Sequence, residues 1–160
     1  MALFDLIQSE LSSSFEATPP EIVAVRLVAA IILGGIIGVE REVNSEGAGL
    51  RTHILVALAS CLFALIVFEM LADQTGKSSD PLRLIEAVTS GVAFLAAGSI
   101  ITSGGRVKGL TTGAGMWMAG AIGLACGVGN IPLAAMAAGL AVAVLWVFQH
   151  LSKRLRKIGK

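Results

Sequence analysis

The residues that could do chemistry in this chain are few, and most lie beside or within long apolar runs. Arg26, Glu69 and Glu86 each fall inside such a run, where a charge near the bilayer centre costs roughly 2.5–3.5 kcal/mol on insertion scales and therefore needs a reason. They are expected to meet as one ionic cluster. Two readings stay open for it, a structural ion pair with snorkelling side chains and a vestibule that attracts cations. A second, denser set comprises Glu40, Arg41 and Glu42, then Arg51, Thr52 and His53, then Arg106, Lys108, Thr111 and Thr112. Glu40 with Arg51 is the expected pair, weighed against a solvated loop of mixed charge. Thr111 or Thr112 is expected to cap a helix, and the free N–H groups there, with Arg106 and Lys108 nearby, would favour an anion.

Other patterns carry less. Gly76-Lys77-Ser78 resembles the end of a phosphate-binding loop, but the earlier glycine that loop requires is Leu71 here, so the segment reads as a polar loop. His53 and His150 have no metal-binding or catalytic partner at the right spacing and read as interfacial polar groups. Cys61 and Cys126 sit inside apolar runs and read as small buried hydrophobes. No nucleophile and base fall together, which argues against an enzyme. No metal site is assigned, and no cofactor is expected, magnesium being the one ion left open.

The elements that position these residues follow from composition. Of 160 residues 55% are hydrophobic and 14% charged, with a mean hydropathy of +0.83, which no soluble domain of this size could bury. A net charge of +1 gives no basic footprint for nucleic acid. A span needs about 20 apolar residues, and five segments qualify: Ile22 to Val39, His53 to Ala72, Leu82 to Thr102, Leu110 to Gly129 and Ile131 to His150. The expected fold is an all-α integral membrane bundle of about five helices, with the last two joined by a tight turn at Gly129, Asn130 and Pro132. Residues 1–21 read as an interfacial helix and a linker, 22–150 as the membrane domain, and 151–160 as a basic tail. The first 21 residues contain no Lys or Arg, so they are not a Sec signal and are expected to stay on the mature protein.

Basic residues set the expected orientation. Nine lie in the first and third loops and the tail against two, Lys77 and Arg83, on the opposite side. This predicts an outside N-terminus and a cytoplasmic C-terminus, with Trp146 and Phe148 as an anchor at the inner face. Small residues recur where helices would touch: Gly34 and Gly38; Gly91 and Gly98; and Gly115, Ala119, Gly123 and Gly127 at four-residue spacing. In lipid such stripes permit close backbone approach, within the chain or between two copies.

Two separated runs resemble a known family. Gly34-Gly35-Ile36-Ile37-Gly38-Val39-Glu40-Arg41-Glu42 with Ala48-Gly49-Leu50-Arg51-Thr52-His53 looks like the first signature of the MgtC/SapB membrane proteins. Gly91-Val92-Ala93-Phe94-Leu95-Ala96-Ala97-Gly98, then Gly109-Leu110-Thr111-Thr112-Gly113 and Trp117, resembles the second. The family usually has glycine where this chain has Ala96 and alanine where it has Gly113, and Ala87 beside Glu86 replaces a common glutamine. Some members also have a soluble C-terminal domain, so the resemblance is to the membrane domain. It implies a bacterial inner-membrane protein tied to magnesium limitation. The first expectation is a non-catalytic regulator of larger membrane proteins such as ATPases or other transporters. The alternative is a small cation transporter or channel built around Glu40, Arg51, Glu69 and Glu86. Expected partners are the lipid bilayer, such an ATPase and a second copy of the chain.

Overall fold

In a computed structural model the chain is a helical bundle, described for residues 3–13, 15, 17–43, 47–72, 80–103 and 106–158. The helices are α1 (Leu3–Ser13), α2 (Pro20–Val43), α3 (Leu50–Ala72), α4 (Pro81–Ser99), α5 (Leu110–Gly127) and α6 (Ile131–Ile158), with strands β1 (Ile101–Ser103) and β2 (Arg106–Lys108) between α4 and α5. Gly76-Lys77-Ser78 and the Gly104-Gly105 pair lie outside the described residues. Four helices, α2, α3, α4 and α6, are long and apolar enough to cross a membrane. The remaining expected span, the fourth in chain order, is α5; it is richer in glycine and sits at the centre, with ten of its eighteen residues buried.

Several boundaries differ from the sequence reading for local reasons. The third span ends at Ser99 rather than Thr102, because Ile101–Ser103 pairs antiparallel with Arg106–Lys108 and takes that backbone into a hairpin. Neither Thr111 nor Thr112 caps α5. Gly109 holds that position at φ +87°, and a β-carbon there would run into the Ser99 carbonyl, so both conformation and space call for glycine. Pro81 opens α4 with Asp80 as its cap, accepting the Leu82 N–H at 3.0 Å. At the α5–α6 turn Gly129 adopts φ +88°, directly beneath the Arg26 guanidinium. Helix α6 continues through the basic tail to Ile158.

The core is built from small residues, because three helices must approach within backbone distance. A β-carbon on Gly123 would overlap the Ala57 backbone, 2.7 Å from its Cα, and one on Gly127 would lie 2.6 Å from the Cys61 carbonyl oxygen. Gly34 approaches Ala57 and the His53 carbonyl from α2, and Gly38 approaches Leu50. Cys61 and Cys126 are buried free thiols in this layer. Gly91 and Gly98 behave otherwise: a β-carbon on either would meet nothing within 4 Å.

Candidate functional site

Two polar clusters cap the apolar core at opposite ends. At one end, α2 delivers Glu40, Arg41 and Glu42 in its last turn, α3 delivers Arg51, Thr52 and His53 in its first, and α5 delivers Thr111, Thr112 and Gly115. Arg41 is 2% exposed and its Nε donates to the Glu40 carboxylate. The expected Glu40–Arg51 pair is therefore replaced by Glu40–Arg41. Successive residues turn by about 100° around a helix, so Arg51 and His53 point to different sides; Arg51 is exposed and His53 fully buried.

His53, expected as an interfacial group, is instead the polar centre of this end. Its Nδ1 lies 2.8 Å from the Gly49 carbonyl, which fixes that nitrogen as the protonated one in neutral imidazole. The Nε2 edge then packs on α5, where a β-carbon on Gly115 would lie 2.9 Å from Nε2 and 3.9 Å from Arg41 Cδ. Neither His53 Nε2 nor the Thr112 hydroxyl, one turn before Gly115, has a hydrogen-bond partner among the described residues. The signal for His53 was available in the sequence: His53, Ala57, Cys61 and Ala64 recur at helical spacing and form one buried stripe.

Glu42, given no separate role by the sequence, accepts the Leu50 N–H at 3.0 Å and so places a carboxylate at the N-terminus of α3. Gly49 admits it, since a side chain there would collide with the Glu42 carboxylate. Thr52 is half-buried and lines an opening of about 400 Å³ with Gly98, Ser99, Ile101 and Met116. Thr111 and Trp117 are exposed on α5, and Arg106 stands in β2.

At the other end the predicted cluster of Arg26, Glu69 and Glu86 does not assemble. Arg26 donates from Nη1 to the Gly127 carbonyl at 2.8 Å, placing a cation at the C-terminus of α5 where the helix leaves carbonyls unsatisfied. Glu69 accepts the backbone N–H groups of Ala17 and Thr18 at 2.9 and 3.0 Å, tying the chain before α2 to the end of α3. Glu86 is exposed on α4. Arg26 and Glu69 are thus committed to separate backbone partners, and Glu86 joins neither. Among the described residues no three His, Cys, Asp or Glu side chains converge as a metal site would require.

This arrangement can lock helices together. At the first end the oriented His53 imidazole of α3 packs between Gly38 of α2 and Gly115 of α5, beside the Glu40–Arg41 pair held within α2, and at the second a cation and a carboxylate fasten α5 and the N-terminal segment. Breaking one partner of such a buried pair strands the other charge.

Comparison with known proteins agrees with this architecture. The MgtC family model matches residues 27–154. The chain is 38% identical over 134 residues to the Escherichia coli K12 protein named "Putative magnesium transporter YhiD", covering 82% of this chain and 62% of that one. It is 43% identical over 118 residues to Protein MgtC of Brucella abortus, covering 74% of this chain and 48% of the relative. To Protein MgtC of Salmonella typhimurium it is 33% identical over 132 residues, covering 82% and 54%. The chain therefore spans about half to three fifths of the length of these relatives. No solved structure matches. The membrane-capable helices and the family match over residues 27–154 make this a multi-pass membrane protein, and the chain belongs to the MgtC family.

Proposed function

We propose that this chain is a non-catalytic regulator in the bacterial inner membrane that serves the response to magnesium limitation by making helix contacts with larger membrane proteins such as transport ATPases. The single observation that carries the reading is the closed centre of the bundle. Gly123 of α5 lies on the Ala57 backbone of α3, and Gly34 of α2 meets the same residue from the other side. A hydrated magnesium ion keeps several waters and asks for oxygen ligands in octahedral array, whereas this layer offers alanine, glycine and thiol. Glu42 and Glu69 sit at the two ends and serve as a cap and a tie, and Glu40 is held by Arg41. In this reading the Glu40–Arg41–His53 end faces the cytoplasm, in keeping with the nine basic residues assigned to that side.

The competing reading, transport of a cation, is favoured by the name carried by the Escherichia coli relative. The two separate in liposomes holding a magnesium-sensitive dye. The regulator gives no flux above empty vesicles, and affinity-tagged chain isolated from magnesium-starved cells brings down a membrane ATPase. Flux that disappears in Glu40→Gln or Glu86→Gln overturns the regulator and establishes the transporter.

A further inference from the structure

Helix α4 turns an unusual face away from the bundle. It buries Val88 and Val92, and Val92 packs beside Gly120 of α5. On the opposite side Arg83, Ser90 and Ala97 fall seven residues apart in one line, flanked by Glu86 and Phe94, and all five are exposed. Helix α6 is the control within the same molecule. Its outward residues include Leu133, Met136, Leu140, Val144 and Val147, large and apolar, as acyl chains require. The α4 face instead shows two charges, a hydroxyl and small side chains, with Phe94 80% exposed beside them.

Charges and polar groups in a membrane helix normally face protein or a water-filled cavity. Among the described residues neither Arg83 nor Glu86 has an ion-pair or hydrogen-bond partner for its side chain. The two are opposite in sign and one helical turn apart. Two copies inserted in the same direction are related by an axis along the membrane normal, so each residue of α4 meets its own depth on the other copy. A three-residue separation is a rise of about 4.5 Å, well within the reach of an arginine side chain. Arg83 of each copy then reaches Glu86 of the other, giving two reciprocal ion pairs from one self-complementary face.

We propose that a second copy of this chain docks on α4, with Arg83 and Glu86 paired reciprocally and Ser90 and Ala97 at the closest approach. The small residues on the central line let the two backbones approach. The pairing is independent of whether the protein regulates or transports.

Site-directed cross-linking of the full chain in phospholipid nanodiscs tests it. The native thiols Cys61 and Cys126 are buried, so Ser90→Cys and Leu140→Cys each report one face. Oxidation is expected to convert most of the Ser90→Cys protein to a disulfide dimer and leave Leu140→Cys at background. Equal yields from the two variants overturn the proposal. So does a Ser90→Cys protein that stays monomeric when purified but cross-links to a different protein in cell membranes. With Ser90→Cys as reporter, Arg83→Glu or Glu86→Arg should each weaken the dimer at least tenfold, and combining them should restore it. A double variant as weak as the singles, while still inserted, overturns the reciprocal pairing.

Discussion

Helices α4 and α5 both carry glycine within a family-like signature, but they use it in opposite ways. In α5, Gly115, Gly123 and Gly127 lie against His53, Ala57 and Cys61 with no room for a methyl group, whereas Gly91 and Gly98 of α4 face open space. Glycine on a membrane helix is therefore not by itself a mark of packing within the chain. On α5 it sets the crossing distance; on α4 it leaves room beside an outward polar face.

The sharpest way to break this comparison is to enlarge one glycine of the central crossing. Gly123→Leu would push a whole isobutyl group into the Ala57 backbone, which cannot rotate away as a side chain could. Overpacking usually costs 1–3 kcal/mol and occasionally more, and at a backbone contact about 3 kcal/mol or more is expected. The readout is the yield of monodisperse protein in detergent and its thermal midpoint. Wild-type behaviour of Gly123→Leu would mean that α3 and α5 do not cross there.

A smaller effect is expected at Gly115, where the obstacle is the edge of the His53 ring. A methyl group there meets Nε2 at 2.9 Å, and the Nδ1 bond to Gly49 keeps the ring from swinging aside. Gly115→Ala should cost about 1–3 kcal/mol. His53→Ser removes the obstacle, so the same alanine should cost at least 1 kcal/mol less in that background, a coupling that a double-mutant cycle measures directly. Additive losses would place the imidazole elsewhere.

Hydropathy and length made the helices legible, because each span had to satisfy its backbone internally and present apolar side chains. Their ends were less so. The third span stops at Ser99 because the Ile101–Lys108 ladder and the left-handed Gly109 claim the following backbone. At the candidate site, residue types grouped these polar side chains at one end of the bundle, but pairing depends on rotation about each helix axis. Opposite charge and a short loop point to Glu40 with Arg51, whereas the stripe of His53, Ala57, Cys61 and Ala64 turns His53 inward and Arg51 outward. The Arg26, Glu69 and Glu86 cluster failed for another reason: helix ends and turns present backbone N–H and C=O groups that compete for charges, and a search among side chains alone overlooks them.

The family departures at Ala96 and Gly113 refine the comparison, because they meet in space. A β-carbon on Gly113 would lie 3.3 Å from the Ala96 carbonyl oxygen and 3.4 Å from its Cβ. This chain therefore carries on α4 the methyl group that the usual family pattern carries on α5. Gly113→Ala alone crowds the contact and should cost about 1 kcal/mol, whereas Ala96→Gly combined with it exchanges the methyl group and should recover most of that loss. Thermal midpoints of the two single variants and the double variant provide the check. A double variant no better than the sum of the singles would make the two departures unrelated.

The smallest expected effect has the opposite sign and lies on α4. Gly91 is at mid-helix, and a β-carbon there meets nothing within 4 Å in the monomer. Gly91→Ala therefore brings no clash, while alanine gives up less conformational freedom than glycine on entering a helix, by roughly 0.5–1 kcal/mol. Helices in detergent retain much of their structure on denaturation, so the gain should fall at the lower end, about 0.5 kcal/mol. The measurement is thermal unfolding at a detergent concentration high enough to keep the chain monomeric. A midpoint unchanged or slightly raised leaves α4 as the helix whose glycine serves nothing inside the chain. A loss above about 1 kcal/mol is beyond what an uncontacted position produces, and it would mean that the α4 face is already occupied within a single molecule, removing its contrast with α5.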